Sequence, residues 1–144
     1  MRMNLRSRVA DLRIAATQHS VRGVLRGLVF YRIFNVKVVH RERLPTSGPA
    51  IVIGNHRSFL DGFLLWGAQR CVSYLMFMVE MLNWPVIGPL MRMMGHIPVD
   101  RSGGGAGSQA LDDAEELLRR GSIITMFPDG NISRPGFKIG VALL

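Results

Sequence analysis

From residue 35 onward, short runs rich in β-branched residues alternate with helical stretches, and most of the runs stop at a block of glycine and polar residues. Residues 36–40, 50–54, 73–79, 96–100 and 122–127 read as strands, and 59–69, 85–94 and 110–118 as helices. The pattern predicts an α/β domain, a layered sheet flanked by helices, with the strand order left open. A chain of 144 residues, 48% hydrophobic with a mean hydropathy of +0.20, is an ordered globular chain of about one domain. Uncharged runs such as 81–91 and 44–55 fall short of the roughly 20 residues a bilayer crossing needs. Cys71 is the single cysteine, which excludes an internal disulfide and points to a reducing compartment. The first arginines are not followed by an apolar block with a small-residue cleavage site, so no secretory signal is expected.

Charge divides the chain. Residues 1–43 hold ten of the 18 Lys and Arg but only Asp11 and Glu42 as acids, while 44–144 are balanced, so the formal net charge of +8 sits in the first third. An anionic surface or polyanion is its natural partner. Leu5, Val9, Leu12 and Ala16 share a helical stripe bordered by Arg6, Arg8 and Arg13. Arg22 and Arg26 lie at i, i+4 in a second stretch, 21–34, beside Val24, Leu25, Leu28, Val29 and Phe30. Residues 1–34 therefore read as a basic amphipathic segment docking on anionic lipid, with arginine heads at lipid phosphates. Packing on its own domain is the alternative. Nucleic acid is not expected, since no aromatic residues interleave with the basic ones.

Three polar blocks follow strand-like runs, where α/β folds bind ligands. In the block Gly54-Asn55-His56-Arg57-Ser58-Phe59-Leu60-Asp61, His56 and Asp61 would lie about 140° apart on one continuous helix. They meet only if a helix begins between them, with Ser58 as N-cap and Asp61 in the first turn. A carboxylate on one ring nitrogen would then leave the other free to take a hydroxyl proton. Ser58-x-x-Asp61 is also a capping-box pattern without catalysis. In Gly95-His96-Ile97-Pro98-Val99-Asp100-Arg101, the Arg101 fork suits a phosphate or carboxylate, or simply pairs with Asp100 in a turn. Phe127-Pro128-Asp129-Gly130 reads first as a turn.

Together and in this order, the three blocks resemble those of the glycerophospholipid acyltransferases, best known as 1-acylglycerol-3-phosphate acyltransferases. Asn55-His56 with Asp61 is similar to the family's NHxxxxD, and Gly95-x-Ile97-Pro98-Val99-Asp100-Arg101 to its GxIPVDR. Glu80-Met81-Leu82 with Pro85 and Gly88 adds to the likeness, which covers roughly residues 30–144. The resemblance implies acyl transfer from acyl-CoA or acyl-carrier protein to a lysophospholipid hydroxyl, with His56 as general base and Asp61 orienting it. It also implies Asn55, Arg101, Asp129, Gly130 and Arg134 as substrate-binding residues. The apolar stretch Leu75, Met76, Phe77, Met78, Met81 and Leu82 would line an acyl groove or pack as ordinary core.

The third block departs from the family's FPEGTRS. Asp129 stands for Glu, Asn131 for Thr, and Ile132 for the phosphate-binding Arg. Arg134, two residues on and so displaced by roughly 6 to 7 Å along an extended chain, is the expected substitute. Residues 141–144 read as an apolar helix start, and the chain as a fragment or a domain truncated at its C-terminus. The expectation is thus two parts, a membrane-docking segment (1–34) and an acyltransferase-like domain (35–144), peripheral at the cytoplasmic face of a membrane. Neither metal nor resident cofactor is expected. The alternative function is an inactive or truncated domain that only binds anionic lipid.

Overall fold

The computed structural model describes residues 5–103, 105, 107–128 and, for the backbone, 140–143. One sheet contains β1 (Ala50–Ile53), β2 (Ser73–Met78), β3 (Ile97–Val99), β4 (Ile123–Met126) and β5 (Gly140–Leu143), in the order β3-β2-β4-β1-β5. The first four run parallel, and β5 is antiparallel on the β1 edge. Parallel strands are covered on both faces, which is why these runs are apolar throughout rather than alternating. The α/β expectation is met.

The helices are α1 (Leu5–Val24), α2 (Asp61–Ala68), α3 (Ile87–Met93) and α4 (Ser108–Arg119). Leu75 and Phe77 of β2 pack with Trp66 of α2 and Met91 of α3. Tyr74, pointing the other way, meets Ala110 and Ala114 of α4. Both α3 and α4 end in a Schellman motif. Gly95 (φ +70°) and Gly121 (φ +78°) take left-handed backbone, the amides of His96 and Ser122 reach the carbonyls of Met91 and Leu117, and the chain turns directly into β3 and β4. These turns aim the ends of β3 and β4 at one edge of the sheet.

Part of the N-terminal segment packs on the domain itself, the alternative that the sequence left open. Arg22 is only 2% exposed, Gln18 is fully buried, and the Arg22 guanidinium lies 4.4 Å over the Trp66 ring. Gln18 Nε2 donates to Met94 O (2.9 Å), and its Oε1 accepts the Ser73 amide (3.1 Å) at the start of β2. Arg26 donates from Nε to Gly67 O (2.7 Å) and from Nη2 to Gln69 O, at the C-terminal end of α2, where unpaired carbonyls favour a cation. The pair read from sequence as lipid-facing is therefore turned inward. Helical periodicity says which residues share a face, not which face goes in. Beyond Val24 the chain continues as a π-helix (Leu25–Ile33), closed by the Phe34 amide on Val29 O. No described helix is long and apolar enough to cross a membrane.

Two further readings are corrected. Residues 36–40 join no ladder, and His40 adopts left-handed backbone (φ 54°); the free edge of β1 is taken by β5. The apolar run 141–143 is not a helix start but part of β5; a run that short carries no period that separates the two.

Buried His96 is a structural residue. Its Nδ1 accepts the Leu75 amide (3.2 Å), its ring meets Trp66 edge-on, and burial, with Arg22 nearby, pushes its pKa down to about 3. The unfolded chain therefore takes up a proton near pH 6.5 that the folded chain refuses until about pH 3. Stability is full above pH 6.5 and falls as the pH drops below it, by about 2 kcal/mol at pH 5. In urea unfolding between pH 7.5 and 5, a His96→Gln variant is expected to lose that part of the slope; identical slopes in the two proteins would contradict this account.

Candidate active site

The carboxyl ends of the parallel strands carry the polar residues. β1 and β4 are neighbours in parallel, with Ile53 opposite Met126 and the Gly54 amide on Met126 O, so the next residues, Asn55-His56 and Phe127, emerge side by side. Gly54 allows a close approach: a Cβ there would lie 2.7 Å from Leu65 Cδ2 and 2.8 Å from Phe127 Cε1, and those side chains would have to shift. The Phe127 ring can thus lean over the loop, where it stacks on the His56 imidazole with centroids 4.6 Å apart and planes at 29°.

Helix α2 begins at Asp61 itself, with Leu60 rather than Ser58 at the N-cap, because a turn over residues 58–61 precedes the first helical residue; the helix start still lets Asp61 reach back to His56. Asp61 Oδ2 lies 3.5 Å from His56 Nδ1 and accepts the amides of Arg57 and Ser58. One carboxylate oxygen therefore closes the loop and faces the imidazole. Ser58 Oγ accepts the Leu60 amide (3.2 Å), so Ser58 stabilises the turn that leads into the helix, and the reach of Asp61 back to the Ser58 amide is half of a capping box. The side chain that closes the loop is thus also the one that faces the imidazole. His56 Nδ1 is shielded from water and makes no closer polar contact. Both side chains are about one-fifth exposed, open enough to meet a ligand.

His56 sits on the wall of a cavity of about 440 Å³. Its lining is mostly apolar: Leu75, Met76, Phe77 and Met78 of β2, Met81 after it, Met91 of α3, and Phe59 and Phe63 near the start of α2. Arg101, just past β3, borders the same space. The Asp100 carboxylate is held by the Ser102 amide (2.8 Å), and hydrogen bonds from Ser102 keep its pKa below the usual carboxylate range. A general-base candidate, a guanidinium and a cavity suited to an apolar chain thus converge on one site.

The Acyltransferase family model matches residues 35–141, which include every element of this site. The chain belongs to the acyltransferase family. Among curated relatives, it is 28% identical over 123 residues to a chloroplastic 1-acyl-sn-glycerol-3-phosphate acyltransferase of Arabidopsis thaliana, covering 82% of this chain and 33% of that protein. It is 31% identical over 112 residues to a 1-acyl-sn-glycerol-3-phosphate acyltransferase of Chlamydomonas reinhardtii, covering 74% and 33%. An N-acylphosphatidylethanolamine synthase of Arabidopsis thaliana is 29% identical over 99 residues, covering 61% and 34%. The chain spans about a third of the length of the first two of these relatives. No solved structure matches it.

In this family member, the structure brings His56, Asp61 and Arg101 to one site. Asn55 borders, with Asp61, a second cavity that shares Phe127 with the first. Asp129, Gly130 and Arg134 lie outside the described residues. Of the apolar stretch, Leu75, Met76, Phe77, Met78 and Met81 line the cavity, while Leu82 packs against the core. Sequence reasoning missed Leu111 of α4 and Met126 of β4 as lining residues. Leu111 is 60% exposed on an otherwise well-packed amphipathic helix, which is a signal only once the helix is placed. Among the described residues no third His, Cys, Asp or Glu joins His56 and Asp61 in a cluster that could hold a metal.

Proposed function

We propose that this chain transfers a fatty acyl group from an acyl thioester, on coenzyme A or acyl-carrier protein, to a hydroxyl of a lysophospholipid such as 1-acylglycerol-3-phosphate. The observation that carries the reading is the 3.5 Å His56–Asp61 contact on the wall of an apolar, methionine-lined cavity that Arg101 also borders. With Nδ1 facing the carboxylate, Nε2 is the nitrogen that takes the proton. The hydroxyl oxygen attacks the thioester carbonyl as its proton passes to Nε2. A C–O bond forms, the C–S bond breaks, and the imidazolium returns the proton to the departing thiolate. Asp61 stabilises the imidazolium, Arg101 holds the acceptor's phosphate, and the cavity holds the acyl chain.

The N-terminal third brings the domain to an anionic membrane surface. Arg22 and Arg26 are committed to the interior, but Val9, Leu12, Val24, Leu28, Tyr31 and Phe34 are exposed among the remaining basic residues. That pairing of apolar side chains and positive charge suits a peripheral, interfacial contact.

The test is acyl transfer by the purified chain, with long-chain thioesters on both carriers and a panel of lysophospholipids. Expected is ester formation matched by an equal release of free thiol, greatest with 1-acylglycerol-3-phosphate, whose phosphate is a free monoester. Salt-sensitive binding to anionic vesicles without transfer from either carrier would replace this reading with a lipid-binding one.

A further inference from the structure

Beyond the acyl cavity, a second one of about 470 Å³ reaches the reacting pair at Asp61. Asp61 and Asn55 line it, and Phe127 lines both cavities, so the ring that stacks on His56 is the partition between them. Its floor is apolar, from Leu44 and from Leu64, Leu65 and Ala68 of α2. Its rim carries the cations Lys37 and Arg43, with the His40 imidazole beside them. Among the described residues Asp61 is the only carboxylate on the lining, and it already faces His56 and accepts two amides. Glu42 turns to His40 (3.2 Å), leaving Lys37 and Arg43 as the positive pair of the rim.

The strap that carries these residues is fixed at both ends. The Val36 amide bonds Phe30 O (2.7 Å), with the Phe30 ring buried, and Arg41 Nε bonds Ala68 O (2.7 Å) at the end of α2. Asn35 and His40, which bracket residues 36–39, adopt left-handed backbone (φ 46° and 54°). A strap held this way presents its charges without having to be ordered by the ligand, which lowers the entropic cost of binding.

We propose that this second cavity binds the phosphate-bearing, partly apolar arm of one of the two reactants, with Lys37 and Arg43 gripping the phosphate. The proposal rests on the acyl-transfer reading, in which both the thioester carrier and the lysophospholipid carry phosphate and only one can occupy Arg101. The cavity then brings the second reactant to the His56–Asp61 pair at Asp61.

Binding of each reactant alone, where nothing can react, separates this proposal from the reaction. The full chain and a Lys37→Glu/Arg43→Glu variant are titrated calorimetrically with coenzyme A and, separately, with short-chain lysophosphatidate below its micelle concentration. An Arg119→Glu/Arg120→Glu variant, with the same charge change at the exposed end of α4 and away from both cavities, serves as control. The strap variant is expected to lose roughly tenfold or more in affinity for one probe, with a smaller change for the other and in the control. The affected probe identifies the source of the phosphate, and KM for that reactant rises with it. Unchanged affinity for both probes, no binding of either by the wild type, or an equal loss in the control would overturn the proposal. Retained probe selectivity with no acyl transfer would instead count against the reaction and leave the site standing.

Discussion

A His56→Ala variant is expected to lose roughly 10²- to 10⁴-fold in kcat/KM for acyl transfer, the contribution of a positioned general base. The substitution removes the nitrogen that takes the hydroxyl proton and leaves the apolar cavity and Arg101 in place. The loss therefore falls on kcat, while the KM for either reactant changes little. Fold stability changes little as well. His56 lies in a loop, partly exposed, and what it loses is its stacking on Phe127, while the loop is closed by Asp61 through the amides of Arg57 and Ser58. Assays of thiol release and of urea unfolding on the same preparation separate the two effects. A variant that transfers at the wild-type rate would remove His56 from the mechanism.

Asp61→Asn is expected to cost on the order of 10³-fold in kcat, for a different reason. Asn keeps the volume and, through its carbonyl oxygen, can still accept the Arg57 and Ser58 amides. It cannot offer a negative charge to the imidazolium. The oxygen that serves the two amides is also the one that faces Nδ1, so what the substitution removes is the negative charge that stabilises the imidazolium. Asp61→Ala loses the amide bonds too and is expected to lower stability by about 1 to 2 kcal/mol, as the loss of a helix cap does. If Asp61→Asn were as active as the wild type while Asp61→Ala unfolded early, Asp61 would be a capping residue alone.

The sequence spacing of His56 and Asp61 contained much of this geometry. Five residues apart, they share no helical face, so any contact requires a helix to begin between them, and α2 does begin at Asp61. The strand ends were legible for a similar reason: each apolar run stops where the polar block starts, and parallel strands place such ends together. What failed were statements about partners and faces. Residues 36–40 have the β-branched pattern of extended chain, but nothing local says whether a ladder awaits them. Here they become the strap over α2. Arg22 and Arg26 lie beside apolar residues at helical spacing, yet the carbonyls at the end of α2 and the face of Trp66 draw them inward, and Val24 and Leu28 are left outside.

The methionine-rich stretch was ambiguous in sequence between core and acyl groove, and the structure makes it both. Leu75, Phe77 and Met81 belong to the buried cluster and also form the cavity wall. Pattern alone cannot separate these roles, because a groove cut into the core is lined by the core. The second cavity was beyond sequence reading altogether, since its lining is drawn from the strap, the end of β1, the outer face of α2 and Phe127.

Chemical rescue tests the central claim most directly, that the His56 imidazole accepts the hydroxyl proton. In a His56→Gly variant, imidazole added to the solution can enter the space the side chain has left. The account predicts that acyl transfer rises with imidazole concentration, above the protein-free rate, and that the same addition does nothing for Asp61→Asn, whose own imidazole still fills the site. A His56→Gly protein that is already fully active without imidazole, or one that binds both reactants and is never rescued by it, would contradict the account.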